Sequence, residues 1–161
     1  MVIILVLCMR HFKRDGLKLW LMLIALVICG DQLGNALKHL TAQPRPCYDL
    51  HDIVRQPARA IPGPCGSDLD AMPSNHALNF FATATFLMVA VRIRSWGISL
   101  YIIALLVGIS RVYLGKHYPS QVLAGAAIGC LLGYIAAWLG IKYLAFMQRV
   151  HTNRQPESIP R

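Results

Sequence analysis

WGISLYIIALLVGISRVYLGKHYPSQVLAGAAIGCLLGYIAAWLGIKYLAF occupies residues 96–146. Two apolar runs, 96–114 and 122–146, bracket one short polar stretch. A helix needs roughly 20 apolar residues to cross the hydrocarbon core of a bilayer, so each run is long enough to span. The apolar residues are continuous rather than spaced for one buried face, which argues against a soluble amphipathic pair. Trp138, Lys142 and Tyr143 near the end of the second run are the residue types that anchor a span at the interface.

The same pattern extends toward the N-terminus. Residues 74–91 form a shorter apolar run, ended by Arg92 and Arg94, so this run and 96–114 are expected to form a helical hairpin. Residues 17–37 form the first complete candidate span. Residues 2–9 are apolar but too short to cross, and no charged stretch precedes them as in a secretory signal. They read as the end of a helix that begins upstream. The expected fold is therefore all-α, an integral membrane helical bundle of four complete spans plus an N-terminal helix fragment. Residues 1–150 form the membrane-embedded domain, and the polar residues 151–161 form a disordered cytoplasmic tail. The composition agrees: 56% of the 161 residues are hydrophobic and 14% charged, where a soluble domain carries about a quarter charged residues.

The net charge of +9 in a soluble protein would suggest nucleic acid. Here the basic residues sit beside apolar runs, which fits membrane loops and no nucleic-acid partner. Alternating spans place Arg10, Lys13, Arg14, Lys18, Arg92, Arg94, Lys142, Arg149, Arg154 and Arg161 on one face, ten of the 16 Lys and Arg. Cytoplasmic loops are enriched in Lys and Arg, so this face is expected in the cytoplasm of a cell inner membrane. The other face looks to the periplasm or exterior. It carries a long loop, 38–73, with Cys47 and Cys65. In an oxidising compartment these two cysteines are expected to be bridged, and closing a loop of this size contributes about 3 kcal/mol in the chain-entropy model. Cys8, Cys29 and Cys130 lie in apolar runs and read as buried small hydrophobes.

Three polar clusters stand at span ends on that outer face: Lys38 to Arg45-Pro46, Pro73-Ser74-Asn75-His76, and Ser110-Arg111 to His117 and Gln121. Taken singly, a Lys or Arg at a span end is an interfacial anchor and Pro-Ser before a helix is a cap. Together they suit a phosphate. Arg45 and Arg111 offer planar forks and Lys38 a point charge. Ser74 would cap a helix whose free N–H groups favour an anion. His76 and His117 supply an acid and a nucleophile near neutral pH. Asp31 lies within the first span, on nearly the same side as Lys38. It reads as a helix–helix hydrogen-bonding residue working with Gln32 or Asn35.

These clusters resemble the three-part signature of the type 2 phosphatidic acid phosphatases, a superfamily shared with vanadium-dependent haloperoxidases: KX6RP, PSGH and SRX5HX3D. The first part is present in full, the second has Asn75 in place of Gly, and the third has Gln121 in place of its final Asp. The resemblance covers about residues 17–146. It implies a lipid phosphatase without a metal or other cofactor. His117 would attack phosphorus to give a phosphohistidine, and His76 would protonate the leaving oxygen. Lys38, Arg45, Ser74, the Asn75 N–H and Arg111 would hold the phosphate. The substrate would be a lipid phosphate or diphosphate of the surrounding membrane. A non-catalytic lipid-phosphate-binding protein, or a phosphotransferase to another lipid, is the alternative. Family members commonly have six spans against four here. Gln121 can accept the hydrogen bond that orients His117 but brings no countercharge, so a slow enzyme is expected, with Gln121→Asp raising kcat ~10-fold or more if the site can close the methylene gap.

Overall fold

The computed structural model describes residues 6, 9–10, 14–50, 69–92 and 94–153. Among them are five helices and no strand: α1 (Arg14–Thr41), α2 (Pro46–Asp49), α3 (Asn75–Val91), α4 (Arg94–Tyr113) and α5 (Pro119–Asn153). The chain is an all-α membrane helical bundle. Helices α1, α4 and α5 are long and apolar enough to cross a bilayer, whereas α3 has 17 residues, about 26 Å at 1.5 Å per residue. The expected spans all appear as helices, with shifted ends. α1 continues through Lys38 to Thr41, so the loop expected from residue 38 starts four residues later. α5 runs to Asn153, which makes the first three residues of the expected tail helical. Residues 154–161 and most of the 2–9 fragment lie outside the described residues.

α3 is the central helix, touching α1, α4 and α5. Its apolar side chains Ala82, Phe86, Leu87 and Ala90 form one core cluster with Leu19, Leu23 and Leu26 of α1. Ser74 caps α3, its hydroxyl accepting the Ala77 N–H, and Arg92 closes it in a left-handed conformation at φ 59°. This closure makes the α3–α4 hairpin. Backbone approaches backbone closely between α3 and α5. A Cβ at Gly129 would meet the Leu78 carbonyl oxygen, one at Gly133 the Ala82 carbonyl oxygen, and one at Gly125 would lie 2.5 Å from the Ser74 carbonyl oxygen. Lipid gives no hydrophobic drive for helix association, so small residues that let backbones meet become the means of packing.

The outer faces are apolar. Ile98, Ile102, Leu105, Leu106 and Ile109 of α4 are exposed, as are Leu131, Ile135 and Leu139 of α5, a surface suited to lipid. Cys29 also lies on an outward face and is exposed, not buried as its apolar surroundings suggested; it and Cys130 are free thiols. Lys142 Nζ stands 3.9 Å from the centre of the Trp138 ring, an interfacial cation–π pair.

Candidate active site

The C-termini of α1 and α4 and the N-termini of α3 and α5 meet at one end of the bundle. Between them is a cavity of about 370 Å³ lined by Lys38, Arg45, Asn75, His76, Arg111 and His117, with Asp31 and Lys116. Six of the eight residues expected at a site are thus brought to one cavity. The other two, Ser74 and Gln121, stand behind the wall. Ser74 is fully buried as the α3 cap and its N–H donates to the Gln121 carbonyl at 3.1 Å, so the main chains of α3 and α5 are tied where the site begins.

His117 sits in the α4–α5 turn and is 5% exposed. The turn is built by Gly115 at φ 63°, a left-handed conformation that favours glycine. The N–H groups of Lys116 and His117 both return to the Arg111 carbonyl, at 3.0 and 3.3 Å, which fixes the nucleophile candidate relative to Arg111. The imidazole Nδ1 lies 2.8 Å from the Ala71 carbonyl oxygen. A carbonyl can only accept, so Nδ1 carries the proton and Nε2 keeps its lone pair. Burial pushes the His117 pKa down to about 4, and the Arg45 and Lys38 charges push the same way. The Ala71 carbonyl and, more weakly, the Gln121 side chain oppose them. The ring is neutral at physiological pH.

The orientation of His117 therefore differs from the expectation. The hydrogen-bond partner of Nδ1 is a backbone carbonyl, and the Gln121 side chain makes a weaker interaction with the ring. Gln121 is 1% exposed. Its Oε1 accepts the Tyr118 N–H at 3.0 Å, and its Nε2 donates to the Pro44 carbonyl at 3.2 Å and lies 3.4 Å from Gln43 Oε1. Both ends of the amide are matched, so its orientation is fixed. The Ala71 contact was invisible in the sequence, because any residue supplies a carbonyl.

The segments after α1 and before α3 are laced together. The Ala71 N–H donates to the Gln43 carbonyl at 3.1 Å, and Cys47 N–H to the Gly115 carbonyl at 3.1 Å. Thr41 Oγ1 lies 2.8 Å from the Met72 carbonyl oxygen. Arg45 Nε donates to Asp70 Oδ1 at 2.8 Å, which holds the guanidinium at the cavity edge. Tyr118 OH donates to Asp49 at 2.9 Å, and this partner raises the phenol pKa. Cys47 is disulfide-bonded; Cys65, its expected partner, lies outside the described residues.

Between α1 and α3 runs a polar ladder. Asn75 Nδ2 donates to Asn35 Oδ1 at 2.9 Å, and Asn79 Nδ2 to Asp31 Oδ1 at 2.6 Å. The partner of Asp31 is therefore on the facing helix, not the nearby Gln32 or Asn35. Gly34 explains how Asn75 fits where the signature has glycine: a Cβ at residue 34 would collide with Asn75 Oδ1. A glycine stands on the α1 side of the contact, opposite Asn75. A second cavity, of about 230 Å³, lies between α3, α4 and α5; Phe81, Leu105, Ile109, Val112, Pro119 and Val122 are among its apolar walls.

The sequence profile of the PAP2 superfamily matches residues 15–143. The chain belongs to the PAP2 superfamily. The matched region contains every PAP2 signature residue placed above. Lipid A 4'-phosphatase of Bacteroides thetaiotaomicron is 31% identical over 147 residues, covering 90% of this chain and 64% of that protein. Phosphatidylglycerophosphatase B of Bacillus subtilis is 29% identical over 134 residues, 82% of this chain and 64% of the relative. Undecaprenyl-diphosphatase BcrC of the same organism is 30% identical over 110 residues, 67% of this chain and 51% of the relative. This PAP2 chain spans less than two thirds of the length of each of these curated relatives.

Proposed function

We propose that the protein hydrolyses a lipid-linked phosphate or diphosphate at the extracytoplasmic face of the membrane, through a phosphohistidine on His117. The observation that carries this reading is the convergence of three signature cations and both histidines on one cavity at one end of the bundle. Lys38, Arg45 and Arg111 hold the phosphate oxygens and stabilise charge on the phosphoryl group during transfer. The Asn75 N–H, in the first turn of α3, adds a donor, with Ser74 setting the start of that helix. His117 attacks through Nε2, the nitrogen left unprotonated by the Ala71 contact. As the P–N bond forms and the P–O bond breaks, His76 gives its proton to the leaving oxygen. Water then attacks the phosphohistidine, losing its proton to His76 and restoring both rings. Gln121 acts as a positioning residue behind His117.

The mechanism requires no metal, since the cations supply the charge that a metal ion would otherwise bring. The names of the relatives cover a glycolipid phosphate, a glycerolipid phosphate and a prenyl diphosphate, and these define the substrate panel. The outer face is assigned from the Lys and Arg bias of the loops. The reading is tested by phosphate release from that panel in detergent, with His117→Ala as the control. Release by the wild-type chain and not by the variant is expected. Binding without release would assign the chain to the non-catalytic alternative.

A further inference from the structure

A carboxylate in a phosphate-binding cavity is out of place on charge grounds alone. Among the described residues, Asp31 is the single acidic side chain lining the cavity, against Lys38, Arg45, Arg111 and Lys116. Its negative charge repels a phosphate and weakens binding. It also lies within a membrane span, where an ionisable group is costly and functional by default. The helix–helix role uses only part of it. Asn79 donates to Oδ1 at 2.6 Å, and Oδ2 receives no hydrogen bond from the described residues. A carboxylate accepts at about four lone-pair positions, so acceptor capacity remains on a side chain that lines the cavity.

The position of Asp31 says what would use that capacity. It precedes Lys38 by seven residues on α1, two turns or about 10 Å along the axis and on nearly the same face. Lys38 and the other phosphate ligands crowd the end of the bundle. Asp31 therefore stands inward from the phosphate, toward the membrane interior, on the side from which a lipid-linked phosphate must reach the site. The group found there is the alcohol to which the phosphate is esterified. Its hydroxyl or N–H groups are donors, and a carboxylate oxygen is the acceptor they match.

We propose that Asp31 is a specificity-determining residue that accepts a hydrogen bond from a hydroxyl or N–H borne by the substrate next to its phosphate ester. The inference rests on the phosphatase reading above and narrows it. Substrates with a donor beside the ester, such as a glycerol hydroxyl or an amino-sugar amide, are favoured. Those without one, such as a prenyl phosphate, are disfavoured by the unmatched charge.

The test compares kcat/KM for short-chain phosphatidylglycerol phosphate, which has a hydroxyl beside the ester, with phosphatidic acid, which has the same glycerol but no donor. Lipid A 1-phosphate adds an N–H arm, and farnesyl phosphate a second donor-free arm. Asp31→Asn should lower the ratio of donor-bearing to donor-free kcat/KM by ~10-fold, one hydrogen bond to a charged acceptor. Asn79→Ala, which removes the helix–helix bond and keeps the carboxylate, should leave the ratio within ~3-fold of wild type. An unchanged ratio in Asp31→Asn, with all substrates falling together, would show that the residue only joins helices. So would an Asn79→Ala protein that reproduces the Asp31→Asn ratio. Absence of release from every lipid by the wild type would sink the phosphatase reading instead. In that event the Kd of the same lipids for wild-type and Asp31→Asn protein in nanodiscs decides the preference, an unchanged Kd ratio overturning it.

Discussion

Along one side of α3, the glycines of α5 bring backbone against backbone; along the other, Asp31 and Asn35 of α1 reach it through side-chain hydrogen bonds. The first contact has no adjustable parts. It joins the Ser74 cap to Gln121 and sets the chain that bears His117. The second is made of amides and a carboxylate that border the cavity. The difference separates two tasks. The α3–α5 side fixes His117, and the α1 side shapes one wall of the cavity.

The most severe break of this division is at the nucleophile. His117→Ala should reduce kcat by at least ~10⁴-fold, since no other group takes over covalent catalysis. The protein should remain folded, and single-turnover phosphate release measures the loss. Retained turnover would move the nucleophile off the α5 side.

A pair of packing variants sharpens the comparison. Gly129→Val puts branched carbons into the Leu78 carbonyl of α3 and should destabilise by ~3 kcal/mol or more. Asn35→Ala removes one amide bond between helices and should cost about 1 kcal/mol. Unfolding in mixed micelles measures both. Equal losses would mean that the two sides of α3 are packed with the same tolerance.

Gln121 tests how the α5 side holds His117. Gln121→Asp leaves the Pro44 carbonyl without its donor and places a carboxylate beside acceptors. It should cost about 1–3 kcal/mol of stability. Because Ala71 already orients Nδ1, the ~10-fold gain in kcat foreseen from the sequence should shrink to under ~3-fold, a change of under about 0.7 kcal/mol. Kinetics and melting of the two proteins decide the matter, and a ~10-fold gain would restore Gln121 as the main orienting group.

The pH dependence follows from the buried ring. His117 has a folded pKa of about 4 against an ordinary 6.5, so the unfolded chain takes up the proton first as pH falls. The contribution of this group is fully present above pH 6.5 and is lost as pH drops through the folded value of about 4. Between these values Tm should fall more steeply in wild type than in His117→Ala. Parallel curves would place His117 in a more solvated setting. The smallest expected effect is none: EDTA should leave turnover of the wild type unchanged, and inhibition reversed by magnesium would refute the metal-free mechanism.

By itself, the sequence determined the helical membrane class, the approximate spans and the convergence of three clusters on one face. Each follows from local quantities: run length against bilayer thickness, and alternation of span ends. The four-residue spacing of Gly125, Gly129 and Gly133 is a further local signal of close packing, though not of its partner. Only the tertiary structure decided that partner, which is α3. It also decided that Asn79 on α3 bonds Asp31, that Gly34 admits Asn75, and that the Ala71 carbonyl rather than Gln121 chiefly sets the His117 tautomer. These depend on which atoms stand opposite one another across separate helices and loops. Neither hydropathy nor motif spacing carries that information, and a backbone carbonyl has no signature in a residue's identity.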